Sequence, residues 1–555
     1  MNTEETKLEM KEPENKDSEP KEPKDPDHQA AADPDATEAD VSEADLDQDE
    51  QEKQPMTRGG GRVLDAPCAG GEGEEGDAEK NGSVKVKILE ETEEKFTGLN
   101  KEELLRIAGT PGWVRTRWAL LLVFWLGWLG MLVGAVLIIL QAPGCRELPA
   151  TNWWNDGPLY QIGNIQVFTD MHNQKGLEQK MKSLTQLKVK GLVLGPVHVA
   201  PPDDARSLRF EEISPEAGNL DQFKGFIQAA HRNGIFVVLD LTPNYLGLSG
   251  PWFSSSSVTN VAERLKSALV FWLDEGVDGI QLSSVEDVAK MVPALWADIR
   301  AIIQNRTDNN PNNKVLIGVT KNYLAQNVSA LLSYTGVDLL ISNVLTCCVT
   351  DATSYAETIQ DLYSSHNQTK LAWSLGGRVE GHLASLVSRA QVKLHQLLLL
   401  TLPGTPVFNY GDEIGLMDDG TKFPKMLWDS EKELNGTLQE EQAERLSYRS
   451  FFFSVSELRS KVRSLLYGDL VLLFNSSSSL VYLRVWDQSD RYLAAFNWGS
   501  EEAVVFQLSS ASVPQHAVVV LSTNTSALPE DSSVDLKNLQ LGLGQAVLIK
   551  LPSSG

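Results

Sequence analysis

"TLPGTPVFNYGDEIG", residues 401–415, sets an apolar run behind a Pro-Gly turn and places Asp412 and Glu413 just beyond its end. Short apolar runs bounded by turn residues read as strands buried on both faces. Seven runs of the same kind precede it: "LYQIGNIQVF" (159–168), "GLVLGPVH" (191–198), "FVVLDLTP" (236–243), "GIQL" (279–282), "KVLIGV" (314–319), "DLLISN" (338–343) and "LAWSL" (371–375). Between them lie helical stretches such as "GLEQKMKSLTQLK" (176–188), "LDQFKGFIQAAHRN" (220–233) and "VAERLKSALVFWLDEG" (261–276), with apolar residues three and four apart. Eight strands alternating with helices predict an α/β chain whose residues 153–461 close a (β/α)8 TIM barrel. Such barrels carry their chemistry at the C-terminal ends of the strands, so a carboxylate pair there raises the question of a hydrolase.

Past residue 461 the helical period stops. "LVLLF" (470–474), "LVYLRVW" (480–486), "RYLAAFNW" (491–498), "EAVVFQL" (502–508), "HAVVVL" (516–521) and "QAVLIKL" (545–551) alternate with turn residues, which predicts an antiparallel β-sandwich over 462–555.

The other end of the chain is of different material. Residues 1–100 hold 30 Asp and Glu against 12 Lys and Arg, so 18 of the 26 net negative charges sit there. Aromatic residues are nearly absent from it, and Pro, Glu, Asp and Gly dominate, leaving too little apolar surface to offset the entropy of ordering. Residues 1–95 are expected to be a disordered tail, and its charge excludes nucleic acid as a direct partner because phosphates would be repelled.

"WALLLVFWLGWLGMLVGAVLIIL", Trp118 to Leu140, contains no charged residue. Its helix would extend roughly 35 Å, enough for the hydrocarbon core of a bilayer. Its place more than a hundred residues into the chain excludes a cleaved signal peptide. Arg106, Arg115 and Arg117 precede the span within the juxtamembrane segment 96–117, whereas the segment after it, 141–152, begins with Arg146 alone. That bias predicts a single-pass type II protein with a cytoplasmic N-terminus. Gly127, Gly130 and Gly134 form a stripe of small residues that would let a second helix approach, or serve as ordinary membrane-helix filler.

This orientation delivers everything beyond the span to an oxidising compartment. Six Asn-x-Ser/Thr sites lie there, Asn305, Asn327, Asn367, Asn435, Asn475 and Asn524, and are expected to carry sugar. Asn81 matches the pattern in the tail and should stay bare. Of four cysteines, Cys68 is cytoplasmic and expected reduced. Cys145 stands on a short Pro-Gly stalk just past the span, while Cys347 and Cys348 are adjacent. The residues allow either a bridge from Cys145 to one of that pair or a bond from Cys145 to a second membrane protein.

"FVVLDLTPNY", "GVDGIQL" and "TLPGTPVFNYGDEIG" resemble the third-, fourth- and eighth-strand motifs of the α-amylase superfamily. The resemblance implies a barrel followed by a β-domain, and in the active members a nucleophilic Asp two residues after an Arg on the fourth strand. Here Gln281 and Ser283 hold those positions. The general acid of the fifth strand falls at Val319, and the His-Asp pair of the seventh strand at Gly376 and Gly377. Asp240 and Asn244 remain on the third strand, followed by Tyr245 where the family has His. Glycoside cleavage with retention needs two carboxyl groups about 5 Å apart, and this set is broken, so no catalytic residue is expected. Asp412 and Glu413 belong to a stretch that shapes the barrel rim in the family.

Only 33 residues separate Tyr245 from Gly279, so the calcium-associated domain that many members insert after the third strand is absent, and no metal or cofactor is expected. An emptied amylase barrel on a type II span, together with "GTPGWVRTRWALLLVFWLGWLGMLVGAV" and "CRELPA", resembles the heavy chains of heteromeric amino-acid transporters. That resemblance implies an ancillary subunit, not an enzyme, which links by an interchain disulfide at Cys145 to a multi-span light chain and brings it to the plasma membrane. It also implies association with integrin β subunits. The alternative is an adhesion or receptor ectodomain that uses the barrel as a passive binding surface.

Overall fold

The computed structural model describes residues 100–141, 144–170, 174–305, 314–346, 352–428, 437–499, 502–509 and 513–552. The acidic tail, Cys68, Asn81, Cys347, Cys348 and Asn435 lie outside the described residues. Before Val114, a short helix Lys101–Ala108 starts at Asn100, whose side chain accepts a hydrogen bond from Lys101 N. The apolar segment is helical from Pro111 to Gln141, 31 residues, longer than the uncharged run because proline is well suited to a first helical turn. None of its residues is buried by the rest of the chain.

All eight barrel strands form: Leu159–Ile162, Gly191–Leu194, Phe236–Asp240, Gly279–Ser283, Val315–Thr320, Leu339–Ser342, Leu371–Trp373 and Thr405–Asn409. They pair in parallel and in sequence order, with the first strand closing on both the second and the eighth. Two apolar runs are shorter as strands than their sequence suggests. The first strand stops at Ile162 because Asn164 caps a helical turn, Ile165–Phe168, by accepting from Gln166 N. The second stops before Gly195-Pro196, and His198–Val199 then pairs with Arg209–Ile213 as a small hairpin.

Alternate side chains of these strands fill the barrel: Leu159, Val193, Val238, Ile317, Ile341 and Val407 among others. Trp153 and Trp154 plug its N-terminal end, with the Trp153 ring stacked 4.4 Å from Phe236. Gly191 permits that plug, since a Cβ there would lie 2.8 Å from the Trp153 ring. Outward-facing residues pack against the helices. Val258–Asp274 buries Val261, Leu265, Ala268 and Trp272 at helical spacing, and the Trp272 indole donates to Phe210 O at 2.8 Å.

The C-terminal sandwich is lopsided. Its main layer has six antiparallel strands in the order Asp469–Asn475, Ser479–Val485, Arg491–Asn497, Ala546–Leu551, His516–Ser522, Ser533–Asp535. The second layer is only a ribbon, Val504–Phe506 paired with Leu539–Leu541. Strand Ser479–Val485 has both faces covered: Leu480 and Tyr482 join the core shared with the barrel, and Val481 and Leu483 join the core under the ribbon. Two buried guanidinium groups brace the junction between the barrel and the main sheet. Arg484 donates to Thr401 O and Gly468 O, and Arg459 donates to Leu400 O, Leu402 O and Leu465 O. The carbonyls of Leu400, Thr401 and Leu402 end the helix Val392–Thr401, where cations are favoured. Burial lowers Arg459 to about 9 and Arg484 to about 10.

Candidate functional site

The mouth of the barrel opens into a cavity of about 320 Å³. Its floor is built by the ends of the third, fourth and fifth strands, which bring Asp240, Thr242, Gln281, Ser283 and Val319 together. Ser283 and Val319 are direct partners across the fourth and fifth strands, so the positions that the family resemblance gives to nucleophile and general acid face one another as a hydroxyl and a methyl-bearing side chain.

Asp240 is the one carboxylate at that floor, and its lone pairs are engaged. Oδ1 accepts from Thr242 N at 2.9 Å and Thr242 Oγ1 at 2.5 Å, and Oδ2 accepts from Gln281 Nε2 at 3.1 Å. Thr242 has a single hydroxyl proton, which goes to the charged and nearer Asp240. Its oxygen is then left to accept from Ser283 N, and it lies 3.1 Å from Ser283 Oγ. Gln281 Oε1 has no hydrogen-bond partner although the residue is buried. Asn244 is spent on the neighbouring loop: its side chain donates to Gly250 O and to Asp203, and accepts from Asp203 N. Asp203 also accepts from Leu248 N and from the Ser249 hydroxyl, and these bonds hold its carboxyl well below the usual range.

The far wall is the loop after the seventh strand, with Gly376, Gly377, Arg378 and Glu380. Arg378 lies over the Tyr245 ring at 5.4 Å and donates to Tyr245 O at 3.3 Å, while Glu380 accepts from Asn343 at 2.9 Å. One carboxylate not singled out from the sequence is Glu286, on the helix Val285–Met291. It accepts from Thr320 Oγ1 at 2.6 Å, and burial raises its pKa. It does not line the cavity. Its proximity to the fifth strand depends on folding and had no local signal.

Asp412 and Glu413 sit on the other side of the mouth and are fully enclosed. Asp412 Oδ1 accepts from Leu383 N at 2.8 Å and Oδ2 from Asn409 N at 2.7 Å. Burial pushes Asp412 up to about 8 against the pull of those two donors. Both Glu413 oxygens lie 3.0 Å from the Tyr160 hydroxyl, and burial raises Glu413 and Tyr160 alike. The pair ties the eighth strand to the first and to the loop before Leu383, leaving no oxygen toward the cavity. Among the described residues no group of three or more His, Cys, Asp or Glu side chains is arranged to hold a metal.

Cys145 is exposed and unbridged among the described residues. The segment beside it is clasped to the C-terminal sheet: Arg146 Nη1 donates to Asp469 at 2.7 Å, its backbone N donates to Asp487, and its guanidinium lies 4.6 Å from the Trp486 ring centre. Asn305, Asn327, Asn367 and Asn475 are exposed and Asn524 is half-buried. Gly127, Gly130 and Gly134 have open space where a side chain would be.

Comparison with known proteins agrees with this geometry. Residues 83–160 match the profile of the solute carrier family 3 member 2 N-terminus, and residues 168–260 match the α-amylase catalytic domain. The chain is 40% identical over 539 residues to the amino acid transporter heavy chain SLC3A2 of Oryctolagus cuniculus, covering 93% of this chain and 99% of that one. It is 23% identical to the amino acid transporter heavy chain SLC3A1 of Homo sapiens, over 82% and 85% of the two chains. Among solved structures, the α-amylase of Geobacillus thermoleovorans complexed with acarbose superposes with a TM-score of 0.56 at 18% identity, covering 73% of this chain and all of that one. Trehalulose synthase MutB of Pseudomonas mesoacidophila gives 0.56 at 16% identity, over 72% of this chain. These structures share the fold.

Proposed function

Because the chain belongs to the family of amino acid transporter heavy chains, we propose that it is the ancillary subunit of a heteromeric amino-acid exchanger. It joins a multi-span light chain through a disulfide at Cys145, carries it to the plasma membrane and stabilises it there. The identity to SLC3A2 across 93% of the chain carries this reading. A single apolar helix without one ionisable residue between Trp118 and Leu140 supports it, because intramembrane substrate paths are marked by polar groups. The N-terminus is cytoplasmic and the barrel extracellular, with sugar on the sequons beyond the span.

Glycoside hydrolysis is not part of the function. With Asp240 tied to three donors and Ser283 facing Val319, the floor of the mouth supplies no second carboxyl group for an acid and nucleophile pair. Purified protein should release no sugar from α-glucosides above a buffer blank.

The test of the assembly is a non-reducing gel of cell-surface material. A heavier species should collapse with dithiothreitol and be lost in Cys145→Ser but not in Cys347→Ser or Cys348→Ser. Deleting the heavy chain should strand the light chain inside the cell, whereas Cys145→Ser should lower exchange only in part. A heavier band that survives Cys145→Ser, or light-chain surface levels indifferent to this protein, sinks the reading.

A further inference from the structure

The cavity at the barrel mouth is open and polar, and its lining carries both an unsatisfied acceptor and cations without an acidic partner. On its floor Gln281 is 6% exposed and its Oε1 has no donor, an arrangement that costs free energy until a ligand N–H or O–H fills it. Glu380 lies in the wall with one oxygen on Asn343 and no cationic partner among the described residues. Arg378 stands in the same wall and Lys321 follows the fifth strand, and neither has an acidic partner among the described residues. Acceptors and cations that line one cavity of about 320 Å³ match a small molecule that carries both signs of charge.

We propose that this cavity binds a free α-amino acid, with its ammonium group toward Gln281 Oε1 and Glu380 and its carboxylate toward Arg378 and Lys321. Both poles are charge-assisted hydrogen bonds, and a guanidinium receives a carboxylate in two parallel bonds. Two further features select among ligands. A sugar wants an aromatic face to lie on, and the one aromatic residue of the lining, Tyr245, has its ring covered by Arg378. At the mouth, the apolar side chains of Leu248 and Val379 are 98% and 55% exposed. A large apolar amino acid would cover them and glycine would not. Gly377 keeps the space clear, since a Cβ there would lie 3.2 Å from both Gln161 Oε1 and Glu380 Oε2. The site goes beyond the transporter-subunit role, because it assigns the heavy chain its own contact with a small solute.

Isothermal titration calorimetry of the full-length chain in detergent tests the proposal. L-leucine should bind saturably and about tenfold or more tighter than isopentylamine or 4-methylpentanoate, each of which has one pole only. Glycine should bind more weakly than leucine, and glucose and maltose should give no heat. Arg378→Gln and Glu380→Gln should each weaken leucine about tenfold while the unliganded melting midpoint stays in place. Maltose binding without leucine binding would identify a residual sugar subsite and overturn the proposal. So would silence toward leucine at tens of millimolar, or leucine binding that Arg378→Gln leaves untouched, since that heat would belong to a co-purified protein.

Discussion

The two sides of the barrel mouth carry carboxylates of the same kind and use them in opposite ways. At the eighth strand, Asp412 and Glu413 are buried and hydrogen-bonded to Leu383 N, Asn409 N and Tyr160, so they hold backbone in place. At the third to fifth strands, Asp240 is quenched by Thr242 and Gln281, and a cavity lies open beside it. The difference teaches that a carboxylate is read by what fills its lone pairs. One engaged by backbone donors is part of the scaffold, and one in a cavity is available for chemistry only if its neighbours leave it free.

The largest effect is expected at Asp412. Asp412→Ala removes both acceptors and leaves two buried N–H groups without partners, which should cost about 3 to 5 kcal/mol. Denaturant unfolding of the purified chain would measure it. A loss under about 1 kcal/mol would mean that the eighth-strand side is as tolerant as the cavity side.

The next effect lies where the barrel meets the C-terminal sheet. His395 is fully buried, with Nδ1 on Gln391 O at 2.9 Å and Nε2 accepting from the Trp498 indole at 3.1 Å. Only the neutral ring can do both, and burial lowers His395 from 6.5 to about 4. The stability this adds is complete above pH 6.5 and is lost as the pH falls toward 4. The gap corresponds to about 3 kcal/mol. His395→Gln keeps one donor and one acceptor but cannot titrate, so its stability should depend less on pH over that window than that of the natural chain. Parallel pH profiles for the two proteins would place the acid sensitivity elsewhere.

How far these sites were legible in the sequence follows from the range of the interactions. The barrel strands announce themselves because strands covered on both faces become local apolar runs, and eight of them are present. The departures of Gln281, Ser283 and Val319 from the motifs the chain resembles are legible as well, since these residues stand inside recognisable strand runs. Short strands were not: Ser533–Asp535 is polar, and Leu539–Leu541 gains its place only by pairing with Val504–Phe506. The clasp of Arg146 on Asp469 joins residues 323 positions apart, and no periodicity records such a contact. The orphan acceptor of Gln281 is invisible for the same reason, because it is defined by what fails to surround it.

A smaller effect is expected at the N-terminal end of the barrel. Gly191→Ala would press a methyl group against Trp153, which is itself held on Phe236, so the plug has no easy way to yield. Overpacking of this kind typically costs about 1 to 3 kcal/mol. A fall in melting midpoint of several degrees is expected, and an unchanged midpoint would show that the closed end of the barrel is less tightly packed than its mouth is open.

The smallest effect is expected at the position where the family has its nucleophile. Ser283 Oγ lies 3.1 Å from Thr242 Oγ1, whose own proton is committed to Asp240, so Ser283→Ala removes one hydroxyl bond to an oxygen that still accepts from Ser283 N. No buried donor is stranded by the change, and a hydrogen in place of the hydroxyl introduces no clash. The loss should be about 0.5 to 1 kcal/mol, the ordinary net value of one neutral hydrogen bond. Measured side by side, Asp412→Ala should therefore be several times more damaging than Ser283→Ala, the reverse of what an active glycosidase would show in its turnover. If Ser283→Ala unfolds the chain as readily as Asp412→Ala, the network around Asp240 is scaffold rather than the remnant of a site. The two sides of the mouth would then differ in accessibility alone.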